Sequence, residues 1–213
     1  MFNEKDKPSY FKRLWFMLKS EYIYKRSFIK KFASVGGRPM VWGVWNMVVY
    51  GPNIHIGKNV IMVSADGFRT TLTTVSFGGH EGHIRIGDNV LVMNGVRISS
   101  ADEIVIGDDC MLANFCYIMD ADWHDIYDRT SSPGKTAPVI LEKGAWIGDS
   151  AIICKGVRIG ENSVVGAGSV VRRDVPPNVV VIGNPAQIVK HLEPGKVITM
   201  EKLYENDLKN LRN

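Results

Sequence analysis

The chain has 213 residues, 45% hydrophobic and 23% charged, with a formal net charge of +4. This suits one soluble globular domain with appendages, and no stretch of about 18 apolar residues exists to span a membrane. Three cysteines (Cys110, Cys116 and Cys154) with no C-x-x-C spacing exclude a disulfide framework and read as small buried hydrophobes in a reducing compartment.

Residues 1–40 form a basic, aromatic-rich segment. Residues 1–32 hold nine Lys/Arg (5, 7, 12, 13, 19, 25, 26, 30 and 31) against three acids (Glu4, Asp6 and Glu21), a surplus of +6 that leaves −2 for the rest. The surplus belongs to this leader, and no nucleic-acid partner is expected. The run SYFKRLWFMLKSEYIYKRSFIKKF reads as one or two helices. They serve as a cap on the domain that follows, or lie on an anionic membrane, and the two roles can coexist. No apolar signal region precedes it, so the cytoplasm is expected, with peripheral contact at the inner face of the cell membrane.

From residue 41 to 190 the chain repeats. A weak start at Ile56 reads IGKNVI; from Ile86 it reads IGDNVL, VMNGVR, and from Ile106 IGDDCM, LANFCY. From Leu141 six hexads follow without slip: LEKGAW, IGDSAI, ICKGVR, IGENSV, VGAGSV, VRRDVP. An aliphatic residue every six positions fits neither a 3.6-residue helix nor hairpin spacing. It fits a mainly β solenoid of 18-residue coils, each burying its apolar positions against its neighbours. Pro176, Pro177 and Pro185 are expected to end the solenoid and direct the chain outward. Residues 191–213, with Leu203, Leu208 and Leu211 among charges, read as a short C-terminal helix.

The rhythm breaks once. From Ile118 to Leu141 is 23 residues, five more than one coil, so a loop of about 120–138 leaves the solenoid and returns. It carries Ile118-Met119-Asp120-Ala121-Asp122-Trp123-His124. A histidine on a loop held by a rigid scaffold suits general-base chemistry, since its ordinary pKa lies near neutrality. A carboxylate at the other ring nitrogen would hold the tautomer; Asp120, Asp122 and Asp125 are candidates, with Asp122 preferred. Asp120 and Asp128 read rather as solvated or loop-capping. Trp123 lines an acceptor site or simply packs.

These hexads, the I-x-D-x-D-[aromatic]-H stretch and the run AWIGDSAIICKGVRIGENSVVGAGSVVRRDVPPNVVVIGNPAQIVK (145–190) resemble the hexapeptide-repeat acetyltransferases, in particular galactoside, maltose and polysaccharide O-acetyltransferases. The resemblance implies a left-handed parallel β-helix, assembled as a homotrimer with sites between subunits. It implies acetyl-CoA as co-substrate, no metal, and a sugar hydroxyl as acceptor, in a cell-surface polysaccharide or its precursor. Residue by residue, His124 takes the catalytic histidine's position. Trp146 flanks the pantetheine arm. Ala167 presents its backbone to that arm, and Asp149 falls on a contact position where a hydroxyl is common. Arg172, Arg173 and Lys190 take the nucleotide end, where this chain has Gln187 in place of one basic residue, so that contact shifts toward Lys155 or Arg158. Asn94 helps bind acceptor or intermediate. Apart from the resemblance, His83, with His80, reads as a loop residue at the acceptor mouth, where Trp123 either lines the site or packs.

Three other readings use the same solenoid. An N-acetyltransferase would act on an amino sugar. A γ-type carbonic anhydrase would hold zinc with His80, His83 and His124. A scaffold without activity would bind no coenzyme A.

Overall fold

The computed structural model describes Trp15, Leu18, Tyr22, residues 27–130 and residues 132–196. Short parallel strands stack into three flat faces. The first face is built from Ser34–Val35, Ile54–Ile56, His83–Ile86, Glu103–Ile106, Val139–Leu141 and Arg158–Ile159. The second runs from Met40–Trp42 through Ile61–Val63, Leu91–Val92, Met111–Leu112, Trp146–Ile147 and Val164–Val165 to Val179–Gly183, and ends with Ala186–His191. The third holds Val48–Tyr50, Thr71–Thr74, Arg97–Ser100, Tyr117–Met119, Ile152–Ile153 and Val170–Val171. The chain visits the faces in that order, once per coil.

The hexad explains the triangle. The aliphatic first positions stack inward in register: Ile56, Ile86, Ile106, Leu141 and Ile159 on the first face, Val92, Leu112, Ile147 and Val165 on the second, and Ile98, Ile118, Ile153 and Val171 on the third. All are 3% exposed or less. Each coil therefore buries its apolar side only against its neighbours.

Between the first and second faces the corner is tight. Its first residue is Gly57, Gly87, Gly107 or Gly160 because the next coil's backbone lies underneath: a β-carbon at Gly57 would sit 2.6 Å from the Gly87 carbonyl carbon. Its third residue takes the left-handed conformation, at φ 54° to 59° in Asn59, Asn89, Asp109 and Asn162. Asn and Asp tolerate that region best among residues with a side chain. Their side chains then form a ladder. Asn59 Nδ2 donates to Asn89 Oδ1 at 3.0 Å, Asn89 Nδ2 donates to Asp109 Oδ1 at 3.2 Å, and Lys143 Nζ lies 3.4 Å from Asp109 Oδ2.

The solenoid is longer than its clear hexads at both ends. Ser34–Val35 pairs with His55 and Ile56, so the first coil begins inside the segment read as a basic leader. Phe28 and Phe32, stacked edge to face at 5.2 Å, are buried against it and close that end. Trp15, Leu18 and Tyr22 are helical and more than half exposed. At the other end the prolines do not eject the chain. Ser163 Oγ donates to the Pro176 carbonyl at 2.7 Å, Val179–Gly183 continues the second face, and Ala186–His191 folds back antiparallel. His191 thus belongs to a strand rather than to the expected C-terminal helix. The remainder of that helix, 197–213, lies outside the described residues, as does most of the leader.

Candidate functional site

The expected loop leaves between the third and first faces, after Tyr117–Met119, and rejoins at Val139–Leu141. Its two arms are zipped at the base. Ala121 and Thr136 form an antiparallel bridge. Asp122 N–H donates to Lys135 O at 2.9 Å, Ala137 N–H to Asp120 O at 2.9 Å, and Gly134 N–H to Asp122 O at 2.5 Å. Gly134 must be glycine, since a β-carbon there would lie 2.7 Å from Asp122 O and 2.8 Å from the His124 carbonyl. His124 stands two residues beyond this neck, exposed, and among the described residues nothing hydrogen-bonds to its ring.

Asp120 is not solvated. It is fully buried, and its carboxylate accepts from Ser100 Oγ at 2.6 Å and from the backbone N–H groups of Ala101 at 2.7 Å and Asp102 at 3.0 Å. The loop root is thereby fastened to the coil below. Burial raises the Asp120 carboxyl above the usual range, against these hydrogen bonds. Asp122 pairs with a lysine: its Oδ2 accepts from Lys155 Nζ at 2.7 Å, tying the neck to the coil above. Asp125 is an exposed turn cap, and the backbone N–H groups of Tyr127 and Asp128 lower its carboxyl. Trp123 packs. Its Nε1 donates to the Tyr117 hydroxyl at 2.9 Å, and the Arg97 guanidinium lies 4.1 Å over the Tyr117 ring.

The other expected residues divide between corners. Asn94, Asp149 and Ala167 form one column between the second and third faces. Asn114 completes it, through Phe115 N–H to Asn94 O, Ser150 N–H to Asn114 O and Gly168 N–H to Asp149 O, at 2.8 to 2.9 Å. The side-chain oxygens of Asn94 and Asn114 are buried without a partner among the described residues. Asp149 Oδ1 accepts from Ser150 Oγ at 2.6 Å. Trp146, 46% exposed, stands on the outer side of the second face. Arg172 and Arg173 follow the third face's last strand, and with Pro185, Ala186 and Gln187 line an open cavity of about 400 Å³. Neither guanidinium has an ion-pair partner among the described residues. Lys190 does not line this cavity; it pairs with Val180 in the closing hairpin.

His83 sits at the foot of a small antiparallel ribbon, Ser76–Phe77 against His80–Glu81, with its Nδ1 buried and without a partner among the described residues. Among the described residues no three His, Cys, Asp or Glu side chains gather as a metal would require, so His80, His83 and His124 form no such trio. Burial pushes the thiols of Cys110 and Cys116 up to about 12 and raises that of Cys154.

Sequence reasoning missed Lys155 as the partner of Asp122, although its place beside the loop's root follows from counting one coil on. It also missed Asn114, which repeats Asn94 one coil later.

Residues 138–173 match the family model described as bacterial transferase hexapeptide (six repeats). Galactoside O-acetyltransferase of Escherichia coli (strain K12) is 32% identical over 180 residues, spanning 81% of this chain and 71% of the relative. The putative lipopolysaccharide biosynthesis O-acetyl transferase WbbJ of the same strain is 34% identical over 149 residues, 65% of this chain and 71% of the relative. Among solved structures, a galactoside acetyltransferase in complex with coenzyme A superposes with a TM-score of 0.50 at 26% identity, covering 83% of this chain and 80% of that one. A hexapeptide-repeat acetyltransferase from Vibrio cholerae, at 24% identity and a TM-score of 0.52 over 82% and 81%, shares the fold. With the repeat, the extruded loop and these relatives in agreement, the chain belongs to the hexapeptide-repeat acetyltransferases, enzymes built on a left-handed β-helix.

Proposed function

We propose that this protein transfers an acetyl group from acetyl-CoA to a sugar hydroxyl, in a polysaccharide or its precursor, with His124 as general base. The observation that carries the reading is the fastened loop. Asp120 and Lys155 bind its neck to the coils below and above, so the exposed His124 is presented from a fixed root. Arg172 and Arg173, two unpaired guanidiniums around a 400 Å³ cavity, suit the phosphates of coenzyme A. In the step itself, the acceptor O–H loses its proton to the imidazole and its oxygen bonds to the thioester carbon. A backbone N–H steadies the oxyanion, the C–S bond breaks, and the imidazolium returns the proton to the departing thiolate. Cys110 and Cys116, buried with raised pKa, are unsuited to carry the acetyl group.

The site is shared between subunits of a homotrimer. His124 and Arg172 belong to one corner, whereas Asp149 and Ala167 belong to another, roughly 13 Å away across the third face at strand rise. Two chains side by side would bring the corners together. The outward column of the second face runs Met40, Ile61, Leu91, Met111, Trp146, Val164 and Val180, apolar throughout, as a subunit contact requires.

No helix among the described residues is long and apolar enough to cross a membrane. The cytoplasmic enzyme would meet the membrane through its basic leader, where Trp15, Leu18 and Tyr22 recur at helical spacing and are exposed. Deleting residues 1–26, which spares Phe28 and Phe32, should lower partition onto anionic vesicles.

Calorimetric titration of the purified protein with acetyl-CoA tests the donor side, with micromolar binding near one site per chain expected. His124→Ala should keep that affinity within a few-fold and lose roughly 10²- to 10⁴-fold in turnover. Normal turnover would end the general-base role, and absent binding would end the acetyltransferase reading.

A further inference from the structure

The edge that carries His124 holds a second feature, three coils below. Tyr50, Pro52, Thr73, Thr74 and Ser76 line an open cleft of about 420 Å³ where the first two coils turn from the third face to the first. The cleft and the loop share one track. Tyr50, Thr73, Ser99 and Met119 are successive partners in register, and Met119 is the last residue before the loop. Three strand spacings separate Tyr50 from Met119, roughly 14 Å.

The chemistry along this track is that of a carbohydrate surface. Tyr50 is 73% exposed at the mouth, an aromatic face on which the C–H side of a pyranose can lie. Thr73 Oγ1 reaches Ser99 Oγ at 3.1 Å, and when it donates there the Ser99 hydroxyl keeps its own proton for another acceptor. Ser76 is exposed. Thr74 Oγ1 instead donates to the Pro52 carbonyl at 2.5 Å and holds the floor closed. Among the described residues no charged side chain lines the cleft, which argues for a neutral polar ligand rather than a nucleotide or phosphate. The ribbon of Ser76–Phe77 and His80–Glu81 rises from the cleft's upper wall toward the loop: a β-carbon at Gly78 would lie 3.7 Å from Ser132 O. Cleft, ribbon and loop thus form one continuous edge.

We propose that this cleft is a subsite for a sugar unit of the acceptor distant from the hydroxyl that is acetylated, and that the acceptor is therefore a chain of sugars rather than a monosaccharide. This rests on the acceptor side of the proposed function. A few linked pyranose rings span the track between Tyr50 and the loop. Stacking on Tyr50 fixes where the chain lies, and so which unit meets His124.

The test uses the full-length protein on an array of bacterial glycans running from monosaccharides to hexasaccharides. The expected result is retention of glycans longer than a disaccharide, with monosaccharides passing through. Tyr50→Ala should weaken that retention roughly tenfold, the loss of one stacking aromatic. Tyr50→Phe should keep it. Retention of no oligosaccharide, or equal retention by Tyr50→Ala, overturns the subsite. The acetyl-CoA titration separates this from the function it rests on. Donor binding without oligosaccharide retention removes the subsite alone. Retention lost in Tyr50→Ala without donor binding leaves the subsite and removes the acetyl transfer.

Discussion

Two corners of the same solenoid behave in opposite ways. The corner from the first face to the second takes four residues in each coil, from 36–39 to 160–163. The corner from the third face to the first takes residues 51–53, then 75–82 with a ribbon, then 101–102, then the loop of 120–138, then 154–157. The first is stitched from coil to coil by the Asn59–Asn89–Asp109 ladder and by glycines on which the next backbone rests. An insertion there would break two coils at once. Among the described residues the second corner is tied at the loop's root, Asp120 to Ser100 and Asp122 to Lys155, rather than by a ladder repeated at one position of every coil, so extra chain can bulge outward while the strands stay in register. Scaffold and chemistry are thereby kept on separate edges.

Mutations at the variable corner should damage turnover and spare the fold, and mutations of the stitched interior should do the reverse. After His124 itself, the largest effect is expected at Gly134. Gly134→Val places side-chain atoms against the backbone of Asp122 and His124, shifts the neck, and should cost about 10²-fold in kcat with acetyl-CoA affinity retained. Steady-state kinetics beside calorimetry reads both. Ile153→Ala removes a fully buried rung of the third face and should cost about 2–5 kcal/mol in denaturant unfolding, with kcat per folded molecule unchanged. If kcat falls as far as stability, the two edges are not separate.

Asp120→Asn tests the join between them. It turns an N–H toward donors that now meet an oxygen, so about 1–3 kcal/mol of stability should go. Its pH dependence has a definite sign. Because burial raises the Asp120 carboxyl, the folded state holds that proton more tightly than the unfolded chain. This contribution is full below the unfolded value and is lost as pH rises through the raised one. The gap between wild type and variant should narrow from acid to neutral pH. The smallest effect is at the thiols. In mildly alkaline buffer Cys110 and Cys116 should stay unmodified in the folded chain, and a disulfide reagent should count at most one thiol, Cys154, until denaturant is added.

Much of this was legible in the sequence because a solenoid repeats its own instructions. Each hexad after Leu141 names its inward residue, and the 23-residue step at Ile118 gives the loop before any coordinates. The first coil was hidden, since Ser34, Met40 and Val48 begin strands without the I-G-x-N or I-G-x-D corner that marks most of the others. The closing hairpin was hidden by Pro176, Pro177 and Pro185, which turn the chain without expelling it. Asp120 and Asp122 look alike in the sequence. Their fates depend on which coil each meets: Ser100 and its neighbours lie below one, and Lys155 above the other. Such vertical partners, 18 or more residues away, leave no local pattern.

The closing hairpin has a consequence for how these molecules coexist. A stack of parallel coils ends in a strand edge that invites another copy to continue it, head to tail, into a filament. Here the last parallel strand, Val179–Gly183, is covered by Ala186–His191 running the other way, with a register shift between Val180 and Val181. Along this face the strand edge facing a newcomer has the wrong direction and a broken rhythm, and three of its residues (Gln187, Lys190 and His191) are polar. The reversal acts as a terminator, setting the solenoid's length and keeping a protein made of stackable parts from polymerising.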